Sequence, residues 1–186
     1  MIDIGGNGIG VVVNSWILYA FSCICMWLPA TRCFGFKRWF LRMAGAQVAE
    51  DVRCASSARF QLAGALRIGA DTWIGHDVLI VGGNAPVHIG ANCDIAPRVT
   101  LATGTHRIDP TGPRVAGEGY SLPITIGDGC WICTGATLLG GTTIGAHSIV
   151  AAGAVVKGEF PPRSVIGGVP ARVIKSVDAL STSALS

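Results

Sequence analysis

The 186-residue sequence predicts an all-β fold, a parallel β-helix wound from six-residue repeats, with a short helical apolar segment ahead of it. Three observations predict it. An aliphatic residue returns at every sixth position through most of the chain, glycine often follows it directly, and an uncharged run stands near the N-terminus. Glycine numbers 26, about twice ordinary usage. No Gly-x-y period or Ser/Gln bias accompanies it, so these glycines punctuate a folded repeat.

Residues 1–45 are read as an apolar helical segment. Ile9 to Leu28 (IGVVVNSWILYAFSCICMWL) carry no charge over 20 residues, and Arg32, Lys37, Arg38 and Arg42 follow. That length just reaches across a bilayer, and the basic cluster behind it fits a cytoplasmic side. Asn14, Ser15 and Ser22 weaken a spanning reading, and the missing basic region ahead of it speaks against a cleaved signal peptide. Three placements stay open: an anchor, a helix at the interface with Trp16, Trp27 and Trp39 at headgroup depth, or an apolar helix packed on an oligomer. Membrane contact of some kind through residues 9–28 is the expectation.

The repeat occupies residues 46–175. Its leads are Ile68, Ile74 and Ile80, then Ile89, Ile95 and Leu101, then Ile126, Ile132, Leu138, Ile144, Val150 and Val156. The phase breaks around GGNAP, between Ile80 and Ile89, and again between Leu101 and Ile126. An α-helix needs apolar residues three to four apart, and no such stripe persists after residue 48. A flat strand would not restart with a Gly-led turn every sixth residue. A short strand plus a corner, repeated, satisfies both facts, with Gly, Asp and Asn at corners that β-branched residues refuse. Three hexads close a coil, and coils must stack because one alone cannot bury its core face. These leads give about four coils, and Val48, Cys54 and Phe60 would add one more. Residues 176–186 are read as a C-terminal tail.

Composition excludes other classes. A net charge of +3, with scattered basic residues, gives no nucleic-acid surface. Seven cysteines make an odd set for a disulfide framework, and a lone Cys130-x-x-Cys133 is a weak zinc signal, so reduced thiols and a cytoplasmic setting are expected. If the N-terminal segment meets a membrane, its inner face is the place.

Residues 102–123 (ATGTHRIDPTGPRVAGEGYSLP) interrupt the repeat and hold a dense polar set: His106, Arg107, Asp109, Arg114, Glu118 and Tyr120. A long excursion from a regular solenoid is usually functional. An imidazole titrating near about 6.5 suits hydroxyl acylation at neutral pH.

Thr105-His106-Arg107-Ile108-Asp109-Pro110 resembles the T-H-x-aliphatic-D-P signature of hexapeptide-repeat acyltransferases of the maltose, galactoside and nodulation-factor O-acetyltransferase type. Glu118 through Ile132 and the stretch from Ala152 to Ile174 are similar to the same family, so the resemblance covers roughly residues 60–175. Residues 36–54 resemble the lead-in of bacterial polysaccharide acetyltransferases. The resemblance implies a left-handed coil, against the general right-handed rule for parallel crossovers. It also implies a homotrimer with acetyl-CoA in the groove between neighbouring β-helices, no metal, and a sugar hydroxyl as acceptor.

Carried over residue by residue, the family places His106 as the base and the Thr134 N–H as an oxyanion donor. Trp131 would wall the site, and Ala152, Lys157 and Arg172 would line acetyl-CoA. Asp77 stands where galactoside acetyltransferases hold an acceptor-contacting Asn, and Asp109 and Glu118 join it as acceptor-side candidates. The second nitrogen of His106 could be oriented by Asp109, by Glu118 or by a backbone carbonyl. Trp131-Ile132-Cys133 and Lys157-Gly158 depart from the usual W-I-G and Thr-Lys. Two rival functions share the solenoid. A γ-type carbonic anhydrase would need three histidines converging on zinc, from His76, His88, His106 and His147. A non-catalytic scaffold would have no use for the loop and the tail together.

Overall fold

The computed structural model describes residues 12–180. They form a left-handed parallel β-helix of three faces, closed at its N-terminal end by a pair of helices. The first coil runs Gln47–Val48, Arg53–Cys54 and Arg59–Gln61, one strand on each face. Successive coils add strands in parallel register, so the first face holds six strands and the third five. The second face holds seven, because Ala171–Ser176 folds back antiparallel on Ser164–Gly168 at the C-terminal end. Phe160 and Ile166 lead a partial sixth coil beyond the repeat leads read from sequence.

Register explains the six-residue period. Ile74 pairs Ile95, Ile95 pairs Ile132, Ile132 pairs Val150 and Val150 pairs Ile166, all pointing inward. The other two faces carry matching columns, Val48 to Phe160 and Phe60 to Val156, and every member is buried. Each such side chain taken from water contributes about 1.5–3 kcal/mol. Between the faces, the residue three after a lead turns the corner in the left-handed region: Asp71, Asp77, Asn92, Arg98, His147 and Arg163, with Gly129, Gly135 and Gly153. At the first corner, one position further on, a polar ladder runs down the inside. Thr72 Oγ1, Cys93 Sγ, Cys130 Sγ and Ser148 Oγ each reach a carbonyl of the coil below: Gly90, Gly127, Gly145 and Pro161. All seven cysteines are free thiols.

The N-terminal pair is α1 (Ser15–Cys25), capped by the Asn14 side chain, and α2 (Phe34–Met43). Here the structure corrects the reading of the basic cluster. In each interior coil, backbone carbonyls accept N–H groups from the coil before; Ile68, Thr72 and Ile74 accept from Ala49, Arg53 and Ala55. The first coil has no predecessor, and α2 fills the gap with its cations. Arg42 Nε donates to Val48 O at 2.7 Å, Arg38 Nη1 to Val52 O at 3.0 Å, and Lys37 Nζ to Cys54 O at 2.9 Å. Lys37 is fully buried, and desolvation lowers the pKa of its ammonium. Three of the four basic residues therefore satisfy an exposed sheet edge, which otherwise leaves costly unpaired backbone groups. A run of 20 uncharged residues does not become a spanning helix either. Asn14 starts α1 and the helix stops at 11 residues, and no helix among the described residues is long and apolar enough to cross a membrane. Residues 9–11 of the apolar run lie outside the described residues, as do residues 181–186 of the tail. Within the tail, Val177–Leu180 form a short 3₁₀ turn tied back by Arg163 Nε to Asp178 Oδ1 at 3.0 Å.

Candidate active site

The excursion is a two-stranded antiparallel hairpin, Gly104–Ile108 against Ala116–Ser121, standing off the edge between the third and first faces. It is held at its root: Leu122 N–H donates to Thr103 O at 2.9 Å, and Ser121 Oγ accepts from Ala85 N–H at 3.1 Å. The register slips between His106 and Ile108. His106 Nδ1 lies 2.9 Å from the carbonyl oxygen of Gly117. A carbonyl can only accept, so Nδ1 carries the proton and Nε2 presents its lone pair outward. Of the three groups that could orient this ring, a backbone carbonyl does so.

The two carboxylates that were the alternatives are engaged elsewhere. Asp109 Oδ1 accepts from Gly112 N–H at 2.8 Å and from Thr111 N–H and Oγ1, both at 3.1 Å. Those bonds close the hairpin tip and hold its carboxyl below the usual carboxylate range. Glu118 faces Arg107 at 3.6 Å, and the Arg107 guanidinium lies over the Tyr120 ring. Beside His106 a cleft of about 470 Å³ is lined by Gly82, Asn84, Thr105, Tyr120 and Ser121, among others. Sequence reading named Tyr120 only within the polar set of the excursion and passed over Asn84 and Ser121. The GGNAP phase break was the signal for Asn84, because an insertion at the same edge in the coil above must lie against the hairpin.

The remaining candidates divide between two edges of the prism. Lys157 follows the third-face strand Val155–Val156 and shares its edge with the His106 hairpin. Asp77, Thr134 and Ala152 stand on the opposite edge of that face, where Arg98 N–H donates to His76 O, Gly135 N–H to Pro97 O and Gly153 N–H to Thr134 O, coil by coil. Arg172 pairs with Gly167 near the foot of that edge, and Trp131 is half exposed on the second face leading to it. The Thr134 N–H has no protein partner among the described residues. Asp77 takes a left-handed corner conformation and its N–H donates to Ser57 Oγ. One chain thus keeps His106 and the Thr134 N–H on different edges. His76 and His147 are corner residues and His88 points out from the first face. Among the described residues, no group of three or more His, Cys, Asp or Glu could hold a metal ion.

Comparisons with known proteins bear on this arrangement. Residues 123–158 match the family model described as bacterial transferase hexapeptide (six repeats). WcaF of Escherichia coli K12, which carries the name of a colanic acid biosynthesis acetyltransferase, is 31% identical over 174 residues, covering 92% of this chain and 89% of its own. The chain belongs to the hexapeptide-repeat acyltransferases. The galactoside O-acetyltransferase of Escherichia coli K12 is 36% identical over 133 residues, 72% of this chain and 64% of its own. A hexapeptide-repeat acetyltransferase from Vibrio cholerae O1 biovar eltor, solved with acetyl coenzyme A, superposes with a TM-score of 0.71 at 28% identity, covering 87% of this chain and 86% of its own. The chain spans about half to two thirds of the length of several curated relatives it matches.

Proposed function

We propose that the chain is an acetyl-CoA-dependent O-acetyltransferase whose acceptor is a sugar hydroxyl, with His106 as general base. The observation that carries this is the pinned ring: Nδ1 held by Gly117 O at 2.9 Å, Nε2 outward over a polar cleft. Nε2 takes the acceptor proton as the acceptor oxygen attacks the thioester carbonyl carbon. The carbon–sulfur bond then breaks, and the same proton passes from Nε2 to the departing thiolate. The unpartnered Thr134 N–H is suited to the oxyanion that forms between these steps. Galactoside O-acetyltransferase and WcaF, named for sugar polymers and sugars, support the acceptor class and a role in surface polysaccharide or glycolipid synthesis.

The division between edges supports a site shared by neighbouring copies in a homotrimer. One copy supplies His106 and Lys157; the next supplies Thr134, Ala152, Arg172, Trp131 and Asp77. Lys157 and Arg172 are exposed cations placed to meet the phosphates of acetyl-CoA. The turn-capping role of Asp109 and the ion pair of Glu118 leave Asn84 and Tyr120 better placed for the acceptor. A cytoplasmic enzyme with peripheral membrane contact fits Trp27 and Trp16, 89% and 82% exposed, and Trp39 on the helical pair. Thiol release from acetyl-CoA, measured with a panel of free, nucleotide-linked and lipid-linked sugars, tests the reading. Release should require an added sugar and vanish in His106→Ala. A folded protein that binds no acetyl-CoA would return the scaffold reading.

A further inference from the structure

A second hollow, of about 600 Å³, opens beside the His106 cleft and shares Gly82 with it as a common wall. One side is a single stripe of α1 and its cap: Ser15, Tyr19, Ser22, Cys23 and Met26, spaced as neighbours on one helix face. The other side is the first third-face strand and the turn after it, from Arg59 to Ala63. Its direction can be read from contacts. Ser15 Oγ donates to Leu62 O at 3.3 Å and Gly82 N–H donates to Gln61 O at 3.0 Å, so the start of α1 lies at the Gly82 end. Phe21 packs on Phe60 at 5.7 Å, and Ser56 Oγ donates to Pro29 O at 2.9 Å, which carries the end of α1 away from the cleft. The helical rise makes this channel about 16 Å long.

At the shared wall, Gly82 takes a φ of +147°, and a Cβ there would fall 1.9 Å from the buried Thr103 Oγ1. Among the described residues, no Asp or Glu lines either hollow. Arg59 donates to the carbonyls of Ser56 and Ala58 and has no carboxylate partner among the described residues. The far end opens at Met26, which is well exposed.

We infer that this hollow takes the hydrocarbon chain of an amphiphilic acceptor whose sugar head lies at His106, so that the substrate is a sugar carried on a lipid. The inference rests on the proposed role of His106 and names the class of its acceptor. A free sugar would draw nothing from an apolar channel that continues its binding cleft. A lipid chain draws on all of it.

The test uses methyl, octyl and dodecyl glycosides of one sugar, all below micelle formation. KM should fall about tenfold or more from methyl to octyl at little change in kcat, since each buried methylene strengthens binding by up to about fourfold. Cys23→Trp fills the hollow from the helix surface, away from His106. It should leave the methyl glycoside unchanged and remove the octyl gain. A KM that ignores chain length, or an octyl gain that persists in Cys23→Trp, overturns the proposal. So does a Cys23→Trp protein that falls apart on sedimentation, because a second copy would then be the occupant. Calorimetric binding of octyl glycoside without acetyl-CoA separates the two readings. Chain-length-dependent affinity lost in Cys23→Trp supports the hollow even where nothing turns over, whereas turnover that survives His106→Ala sinks only the catalytic assignment.

Discussion

At the scale of single residues, the hairpin shows how one backbone atom can decide the tautomer of an imidazole. The Gly117 carbonyl holds His106 Nδ1, and Gly117 itself has little room, since a Cβ there would come within 2.9 Å of Asp109 Cβ. His106→Ala should lose on the order of 10² to 10⁴ in turnover, the range for one general base, while acetyl-CoA affinity measured by titration stays level. Asp109 gives a sharper contrast. Its carboxyl receives donors from the turn and does not touch the imidazole, so Asp109→Asn, which keeps the accepting oxygen, should retain most activity. Asp109→Ala should lose more, through a loosened hairpin. Equal loss in both variants would mean the charge itself acts in the reaction, and steady-state rates of the pair decide it.

Whole elements are stabilised where the repeat is forced to stop. The solenoid's first coil exposes the carbonyls that every later coil offers to its predecessor, and α2 turns Lys37, Arg38 and Arg42 onto them. Lys37→Ala would leave the Cys54 carbonyl without its donor, while the Ala30 carbonyl keeps the Ser56 N–H. Each buried group left unpaired costs about 1–3 kcal/mol, so thermal unfolding should move down by several degrees. Arg32→Ala, which removes a charge that caps no coil, should leave the midpoint where it was. The repeat itself was legible from the six-residue spacing of Ile, Leu and Val, because inward-pointing side chains stack only at that interval. The cap was not legible. Arg and Lys behind an apolar run look alike whether they face lipid headgroups or a sheet edge, and only the packing of α2 against the first coil separates the two.

Over the whole molecule, burial of the inner ladder couples stability to pH. Burial pushes the Cys54 thiol up to about 12 and the Cys93 thiol up to about 11, from an ordinary value of 9.0. Above that ordinary value the unfolded chain loses these protons while the folded one keeps them. Folded stability is therefore lost progressively as pH rises from about 9 toward 11 and 12. Cys93→Ser keeps a donor in the ladder without an ionising thiol, so its melting point should fall less than the parent's between pH 8 and pH 10.5. Assembly is tested by complementation. His106→Ala and Ala152→Trp each disable one edge, and if the site lies between copies, co-expressed mixtures should recover activity at about a quarter of the interfaces. Mixtures as inactive as either parent would place the whole site in one chain.

Taken alone, the sequence determined the solenoid, its coil leads and the one histidine standing in the long excursion. These are local or strictly periodic properties, and stacking converts a period directly into a column. Arg98, His147 and Arg163, by contrast, turn corners that the Gly, Asp and Asn pattern passes over. The tertiary structure decided what depends on proximity between distant positions. It put a backbone carbonyl on His106 and closed Asp109 on its own turn. It spent the basic cluster on an open sheet edge, and it laid one stripe of α1 beside Gly82. Ser15 and Leu62 are 47 residues apart, and no spacing rule in the sequence brings them together; the wall they share exists only because α1 folds back over the first coil to cover its apolar end.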